Sequence, residues 1–271
     1  ATIVIEAGLP LLLEKPVADT LDAARALHRR VRELDATVLV GHHRVHSPIM
    51  RAARQVVAEG VLGDLVAVNG TALFHKPDHY FEPAWRRSAG AGPILLNLVH
   101  EIQNLRLLCG EVVAVQAMTS NARRGFEVED SAALLLRFDT GVLGTFLLSD
   151  VAASPRSWEQ TSQENPAFPA YPDQDCYHLA GTRGSLSVPT MRVHRYLDAG
   201  DASWWEPFAT SAAEWRRADP IAAENHHFGE VIRGEAAPAC TLRDGLANQA
   251  VLDAIGRAAR SGRETAVDLP G

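Results

Sequence analysis

Residues 9–16 read LPLLLEKP, a compact apolar run that ends in Glu-Lys-Pro. A run of this kind suits a strand that is buried in a parallel sheet. An amphipathic helix is predicted next, because apolar residues between positions 19 and 35 recur at steps of three and four. A second buried strand is predicted over residues 37–41, and Ser47-Pro48 then matches the N-cap and first position of another helix. A short helix is also predicted over Ala1–Ala7, with Gly8 after it. The order helix, strand, helix, strand over residues 1–41 predicts the tail of a doubly wound α/β unit.

The pattern changes after Pro93, where one long helix over Ile94–Cys109 is predicted. Alternating runs that indicate strands follow it, at Val112–Ala117, Ser131–Phe138, Val142–Leu148 and Tyr177–Val188. Two of these runs flank Asp139-Thr140-Gly141, a short turn that predicts an antiparallel hairpin. Helices near 220–233 and 244–261 and a strand at 265–269 complete an α+β domain with a large open, mostly antiparallel sheet. We therefore expect two domains, over residues 1–48 and 49–271.

The composition is that of an ordinary globular protein, since 46% of the 271 residues are hydrophobic and 22% are charged. The formal net charge is -7 and the basic residues are scattered, so there is no cationic stripe for nucleic acid. The 3 cysteines are widely separated and lack the CxxC spacing of a zinc or redox pair. No apolar run approaches the ~20 residues that cross a bilayer. These features predict a soluble cytoplasmic protein without nucleic-acid or membrane partners.

Lys15 is placed for chemistry by the predicted sheet. Ligands bind in the crevice beyond the carboxyl ends of parallel strands, and Lys15 follows such a strand directly. Pro16 fixes the backbone after it. A solvated loop lysine paired with Glu14 explains the same position, so position alone leaves both interpretations open.

A second candidate group lies on the predicted helix after Pro93. Asn97, His100, Glu101 and Asn104 are spaced to share one face. Histidine can hold or release a proton near neutrality, because its unperturbed pKa is about 6.5. A solvated polar face gives the same spacing, and spacing alone favours that interpretation. A metalloprotease is rejected, because the second histidine of HExxH is absent.

Three further histidines, His42, His43 and His46, follow the second predicted strand. They could bind a metal in principle, but no carboxylate or thiolate lies nearby in the sequence. Contact with substrate or cofactor, or an ordinary surface position, is the favoured interpretation. We predict no metal site.

Several motifs in combination resemble the glucose-fructose oxidoreductase / inositol dehydrogenase family, usually called Gfo/Idh/MocA. The matching features are Glu14-Lys15-Pro16 after a strand, Gly41, Arg44 and Pro48 leading into a helix that ends at Gly60-Val61-Leu62-Gly63, the pair Trp85-Arg86, and a glycine-rich approach to Asn97 and His100. The similarity extends over nearly the whole chain. It implies a Rossmann dinucleotide-binding domain followed by a substrate-binding and oligomerisation domain.

The resemblance also implies residue roles. Lys15, Asn97 and His100 would be catalytic, with His100 accepting the hydroxyl proton, Lys15 assisting and Asn97 orienting the hydroxyl. Asn97 stands where the family usually has aspartate, and an amide cannot accept a proton as a carboxylate does. The cofactor would contact Glu14, Lys15, Pro16, His43, Arg44, Trp85 and Arg86. Lys15, Arg44, Asn97 and His100 would bind the substrate.

The implied activity is the transfer of a hydride between NAD or NADP and a sugar, cyclitol or related hydroxylated molecule. The implied partner is a second copy of the chain, bound through the C-terminal sheet. The family's GxGxxG turn is expected upstream of residue 1, because residues 181–184, Gly-Thr-Arg-Gly, join strand-like runs and open no helix. The alternative is a non-catalytic binding or scaffold protein that has lost cofactor binding.

Overall fold

The computed structural model describes residues 1–198, 200 and 202–270. Its first elements are α1 (Thr2–Glu6), β1 (Leu11–Glu14), α2 (Leu21–Glu33) and β2 (Val38–Gly41). β1 and β2 are parallel, with Leu11 opposite Val38. This arrangement confirms the predicted α/β unit.

The remaining elements run from residue 43 to residue 266. They are a 3₁₀ turn (His43–His46), α3 (Pro48–Ala58), β3 (Leu65–Leu73), 3₁₀ turns at Asp78–Phe81 and Ala84–Arg87, a π-helical turn (Ile94–Leu98), α4 (Val99–Cys109), β4 (Val112–Ser120), β5 (Ser131–Phe138), β6 (Leu143–Ser149), α5 (Trp158–Thr161), β7 (Tyr177–Gly181), β8 (Gly184–Val188), β9 (Arg192–Arg195), β10 (Ala209–Ala212), α6 (Pro220–Ile232), α7 (Leu242–Ser261) and β11 (Thr265–Ala266).

Among the residues that the structure describes, nine strands form one sheet in the order β10-β9-β8-β7-β3-β6-β5-β4-β11. β3 and β6 run parallel, and the other neighbouring strands run antiparallel. Residues of β5 and β6 alternate between buried and exposed positions, so one face of the sheet packs on the core and the other is open. The predicted large, mostly antiparallel sheet and the hairpin at residues 139–141 are confirmed.

The first residues of α3 and α7 are determined by local N-cap sequences. The Ser47 hydroxyl accepts a hydrogen bond from the Met50 amide, and Pro48 occupies the first turn of α3, as predicted. α7 begins with a capping box, in which Thr241 and Asp244 bond each other's backbone amides.

Some boundaries differ from the predicted ones. The predicted helix from Ile94 starts with a π-helical turn, and only Val99–Cys109 is α-helical. The predicted run from Tyr177 to Val188 divides into β7 and β8, which pair as a hairpin. β9 and β10 were not predicted, and β11 is only two residues long. These differences are local and leave the predicted architecture intact.

Two hydrophobic clusters pack side by side. The larger lies between the nine-stranded sheet and helices α3, α4 and α7. The smaller combines residues of β1, α2 and β2 with Cys240, Leu242 and Leu246. Gly245 allows α7 to lie close to this unit, because a Cβ there would be 2.5 Å from Val17 Cγ1. The division into domains 1–48 and 49–271 stays a prediction, with α7 in contact with both parts.

No helix among the residues described is long and apolar enough to cross a membrane.

Candidate active site

Lys15 lies at the carboxyl end of β1, and its ammonium group donates a hydrogen bond to the Leu96 carbonyl oxygen at 3.1 Å. Lys15 therefore contacts the π-helical turn and is not the solvated loop lysine, paired with Glu14, that its sequence position also allowed. Burial lowers the pKa of Lys15 to about 8; the positive charge of Arg44 adds to this effect and Glu14 opposes it. A lysine of this pKa can exchange a proton near neutrality.

His100 lies in the first turn of α4 with only 8% of its surface exposed. Its ring centroid is 5.6 Å from that of His42 and 5.1 Å from that of His43. Within the part of the chain that the structure describes, the His100 Nδ1 atom has no hydrogen-bond partner. Burial, with further contributions from Arg44 and Lys15, lowers the pKa of His100 well below its ordinary value. The imidazole is therefore neutral around pH 7.

Asn97 is held by a lysine that the sequence prediction missed. The Lys76 ammonium donates to Asn97 Oδ1 at 2.8 Å and lies 3.4 Å from Asp150 Oδ2. Lys76 follows β3, and like Lys15 it precedes a proline. We name Lys15, His43, Lys76, Asn97 and His100 the Lys15 site.

Arg44 lies beneath this site in a buried network. Its guanidinium donates to Glu101 Oε1 at 2.7 Å and to Glu159. Tyr177 donates to the other Glu101 oxygen and accepts from Asn104 at 3.0 Å. Both Arg44 and Glu101 are 2% exposed. The interpretation of the polar face of α4 as solvated is therefore wrong, because strands and loops far along the chain cover it.

A second buried network orients His42. Asn248 Oδ1 accepts from Arg106 at 2.7 Å, while its Nδ2 donates to Gln103 at 2.7 Å and to His42 Nε2 at 3.0 Å. Arginine has only donors, so the Asn248 oxygen must face it and the Asn248 nitrogen must face the histidine. His42 Nε2 is thus an acceptor, and the proton of the neutral ring is on Nδ1. Burial, followed by the charge of Lys15, lowers the pKa of His42 to about 3.

The other predicted cofactor contacts surround the ends of β1 and β2. The Glu14 carboxylate lies against Gly41, where a Cβ would come within 3.2 Å of Oε2. The peptide bond between Lys15 and Pro16 is cis. Burial lowers the pKa of His43 to about 4, with Arg44 as the next cause. These groups form one surface at the edge where parallel strands bind ligands.

Trp85 and Arg86 lie in the 3₁₀ turn at Ala84–Arg87, beside Lys76. The Arg86 guanidinium donates to the Tyr80 carbonyl oxygen at 2.7 Å and stacks 4.1 Å from the Tyr80 ring centroid. Trp85 is 53% exposed and packs on Arg86. The structure brings this pair close to Lys76, and the predicted contact with a cofactor stays a prediction.

Glu224 is a further carboxyl group that the sequence did not single out. It is 4% exposed, and the structure of the described residues gives its Oε1 no hydrogen-bond partner. Burial raises the pKa of Glu224 to about 7, and the nearby charge of Glu14 adds to the rise. No group of three or more His, Cys, Asp or Glu side chains among the residues with described positions is arranged to hold a metal ion, and this includes the three histidines near β2.

Residues 50–187 match the family model described as the GFO/IDH/MocA C-terminal domain. The chain is 26% identical over 271 residues to a 1,5-anhydro-D-fructose reductase of Ensifer adhaerens. This alignment covers 97% of this chain and 74% of that protein. The chain is 23% identical over 269 residues to a scyllo-inositol 2-dehydrogenase (NAD(+)) of Bacillus subtilis, covering 97% of this chain and 72% of that one.

Solved structures confirm the fold. The WlbA dehydrogenase from Bordetella pertussis, in complex with NADH and UDP-GlcNAcA, aligns with a TM-score of 0.74 at 20% identity, over 99% of this chain and 75% of its own. An oxidoreductase from Desulfitobacterium hafniense aligns with a TM-score of 0.78 at 17% identity, over 98% and 75%. At these identities the likeness establishes the architecture alone.

Proposed function

The chain belongs to the GFO/IDH/MocA family, and we propose that its Lys15 site catalyses nicotinamide-dependent oxidation and reduction of a hydroxylated small molecule, a sugar or cyclitol. The observation that carries this proposal is the hydrogen bond from Lys15, at the carboxyl end of β1, to the Leu96 carbonyl oxygen, which brings Lys15 to the segment that carries Asn97 and His100. Relatives described as a reductase of 1,5-anhydro-D-fructose and as inositol dehydrogenases support the substrate class.

The residues at the edge of β1 and β2 fit the nicotinamide end of NAD or NADP. The Glu14 carboxylate is exposed, His43 is neutral around pH 7, and the His100 Nδ1 atom has no partner among the described residues. Groups of this kind can form hydrogen bonds with ribose hydroxyls. Glu14, Lys15, Pro16 and His43 would hold the cofactor, with Trp85 and Arg86 at its margin. When bound, the cofactor supplies hydride exchange with the substrate carbon.

The pKa values favour roles for Lys15 and His100 that differ from those that the resemblance implied. Lys15, with a pKa of about 8, is matched to proton exchange and would take the hydroxyl proton in oxidation and return it in reduction. His100 would orient the same oxygen as a neutral imidazole. Arg44 would shape the site and would not bond the substrate, because its guanidinium already donates to Glu101 and Glu159. These roles are proposals for the chemical step.

A turnover assay tests the proposed function. The intact protein is mixed with NAD, NADP or their reduced forms and a panel of sugars, anhydro-ketoses and cyclitols, and the nicotinamide absorbance is followed. We expect turnover with at least one member and one cofactor. If no member is turned over and neither reduced cofactor binds in a fluorescence titration, the proposal fails and a non-catalytic binding protein takes its place.

The pH dependence of the two directions should be opposite. Oxidation requires the neutral amine of Lys15, so its kcat should rise as pH increases through about 8. Reduction requires the ammonium form, so its kcat should fall over the same interval. Lys15→Met should remove both transitions. Initial rates in both directions across this pH range provide the measurement. If kcat rises with pH in both directions, or falls in both, the role assigned to Lys15 is contradicted.

We also propose that the open face of the nine-stranded sheet joins two copies of the chain. Leu135, Leu143 and Leu147 on this face are 53%, 55% and 45% exposed. Contiguous exposed apolar side chains of this kind are typical of protein interfaces. Leu135→Glu should therefore shift the protein from dimer to monomer in sedimentation velocity runs, whereas Ile221→Glu on α6, 51% exposed, should not. A wild-type monomer at micromolar concentration would contradict the proposal.

A further inference from the structure

The hydrogen bond between Lys76 and Asn97 determines which Asn97 atoms remain for a ligand. A lysine ammonium has three donors and no acceptor, so the amide atom at 2.8 Å from it must be the carbonyl oxygen Oδ1. The orientation of this amide therefore follows from the chemistry of its partner. The Nδ2 group, with two donors, is left on the other side.

Lys76 is itself held firmly. Its side chain is 12% exposed, and its ammonium lies 3.4 Å from Asp150 Oδ2 and 4.8 Å from the Tyr80 ring centroid. Arg124 fixes both ends of this contact, because its Nη2 donates to the Lys76 carbonyl oxygen at 2.7 Å and to the Asp150 carbonyl oxygen at 2.8 Å. A residue constrained in this way can impose an orientation on its neighbour.

Both lysines of the chain hold the same short segment. Lys15 donates to the Leu96 carbonyl oxygen from the end of β1, and Lys76 donates to the Asn97 side chain from the end of β3. The π-helical turn of Ile94–Leu98 is therefore held by two cations, one at the Leu96 carbonyl oxygen and one at the Asn97 side chain. Two nearby positive charges also favour a ligand oxygen that carries partial or full negative charge.

We propose that Lys76 is a positioning residue that fixes Asn97 as a hydrogen-bond donor, and that the Lys15 site thereby selects substrates with an acceptor-only oxygen, a carbonyl or a carboxylate, opposite Asn97 Nδ2. The inference rests on the proposed function, since it assumes that the substrate binds at this site. It narrows the role expected from the sequence, in which Asn97 orients a hydroxyl, to that of a donor alone. An aspartate at position 97 would offer only acceptors while ionised.

The decisive variant is Asn97→Asp. The carboxylate keeps the shape of the side chain and still accepts from Lys76, so the contact survives and only the donors are lost. Asn225→Asp, the same change at an exposed position on α6, is the matched control. Lys76→Met removes the constraint on the amide, whereas Lys76→Arg retains a donor-only cation and should rescue the orientation.

The probes are three small molecules built on the glucose ring that differ in their oxygen functions at C1 and C6. D-glucono-1,5-lactone presents a carbonyl, D-glucuronate presents a carboxylate, and 1,5-anhydro-D-glucitol has neither. Dissociation constants for the intact protein are measured by calorimetry with the reduced cofactor present. The lactone and glucuronate titrations distinguish the two kinds of acceptor oxygen.

Wild type and Asn225→Asp should bind one acceptor probe at least about ten-fold more tightly than anhydroglucitol. Asn97→Asp should lose this preference, Lys76→Met should reduce it by about three-fold or more, and Lys76→Arg should retain most of it. The Asn97 side-chain NH₂ signals in a ¹H–¹⁵N spectrum should move with the preferred acceptor probe and not with anhydroglucitol. This readout reports hydrogen bonding directly and does not depend on turnover.

The proposal is overturned if wild type binds the three probes equally or not at all, or if Asn97→Asp binds the acceptor probes as well as wild type does. Its failure is distinguishable from that of the proposed function. If the protein turns over a sugar with nicotinamide but shows no preference for the acceptor probes, only this inference fails. If it shows the preference but no turnover, only the proposed function fails.

Discussion

Lys15→Met should lower kcat by about 10²–10⁴-fold while the protein stays folded. Methionine retains most of the buried apolar stem of Lys15 and loses only the ammonium and its hydrogen bond to the Leu96 carbonyl oxygen. If Lys15 exchanges the substrate proton, His100 cannot take over this role, because burial lowers the pKa of His100 well below its ordinary value. Steady-state rates in both directions provide the measurement.

The control for this prediction is Arg29→Met, which removes an exposed cation from α2 in the same part of the chain. It should leave kcat within about two-fold of wild type, because exposed surface changes away from a site have small effects. Small primary amines added to Lys15→Met should restore part of the rate by taking the place of the lost ammonium. A Lys15→Met protein with kcat near that of wild type would remove Lys15 from the chemical step.

Arg44→Met should destabilise the protein by about 3–5 kcal/mol, because it leaves the Glu101 carboxylate buried without its cation. The side chains of Arg44 and Glu101 are both 2% exposed, so water cannot replace the lost partner. Burial already raises the pKa of Glu101, although Arg44 opposes that shift. Urea unfolding followed by circular dichroism gives the change in the free energy of unfolding.

Two companion variants separate this ion pair from a general effect of losing an arginine. Arg137→Met removes a pair with Glu264 in which the two side chains are 54% and 56% exposed, and it should cost less than about 1 kcal/mol. The double variant Arg44→Met, Glu101→Leu should recover part of the loss, because no unpaired charge remains. Equal destabilisation by Arg44→Met and Arg137→Met would contradict the proposed importance of the buried network.

The fold followed from local signals where those signals are strong. Residues 9–16 and 37–41 contain short apolar runs that form strands as predicted, although β1 is only partly buried whereas β2 is fully buried. Ser47-Pro48 specifies a helix start through its own backbone chemistry. The turn at residues 139–141 marked its hairpin in the same way. By contrast, no local sequence signal predicted the π-helical turn at Ile94–Leu98, which is contacted by Lys15 and Lys76 from other parts of the chain.

The candidate site could be predicted only in part. Lys15 and His100 were identified from motifs, but the burial of Glu101 could not be predicted, because Tyr177 lies 76 positions away in sequence. Periodicity shows that polar residues share a helix face, but tertiary packing determines whether that face is exposed to solvent. Lys76 was missed, although a weak signal existed: the chain has only two lysines, and each of them precedes a proline.

The central claim is that the Lys15 site exchanges hydride between a nicotinamide and a carbon that bears a hydroxyl group. The most direct measurement is the fate of deuterium placed on the reacting carbon of a substrate found in the panel, with the reduced cofactor analysed by mass spectrometry. We predict one deuterium on the nicotinamide ring with wild type and none above background with Lys15→Met over the same interval. A reduced cofactor without deuterium, or equal labelling by both proteins, would contradict the account.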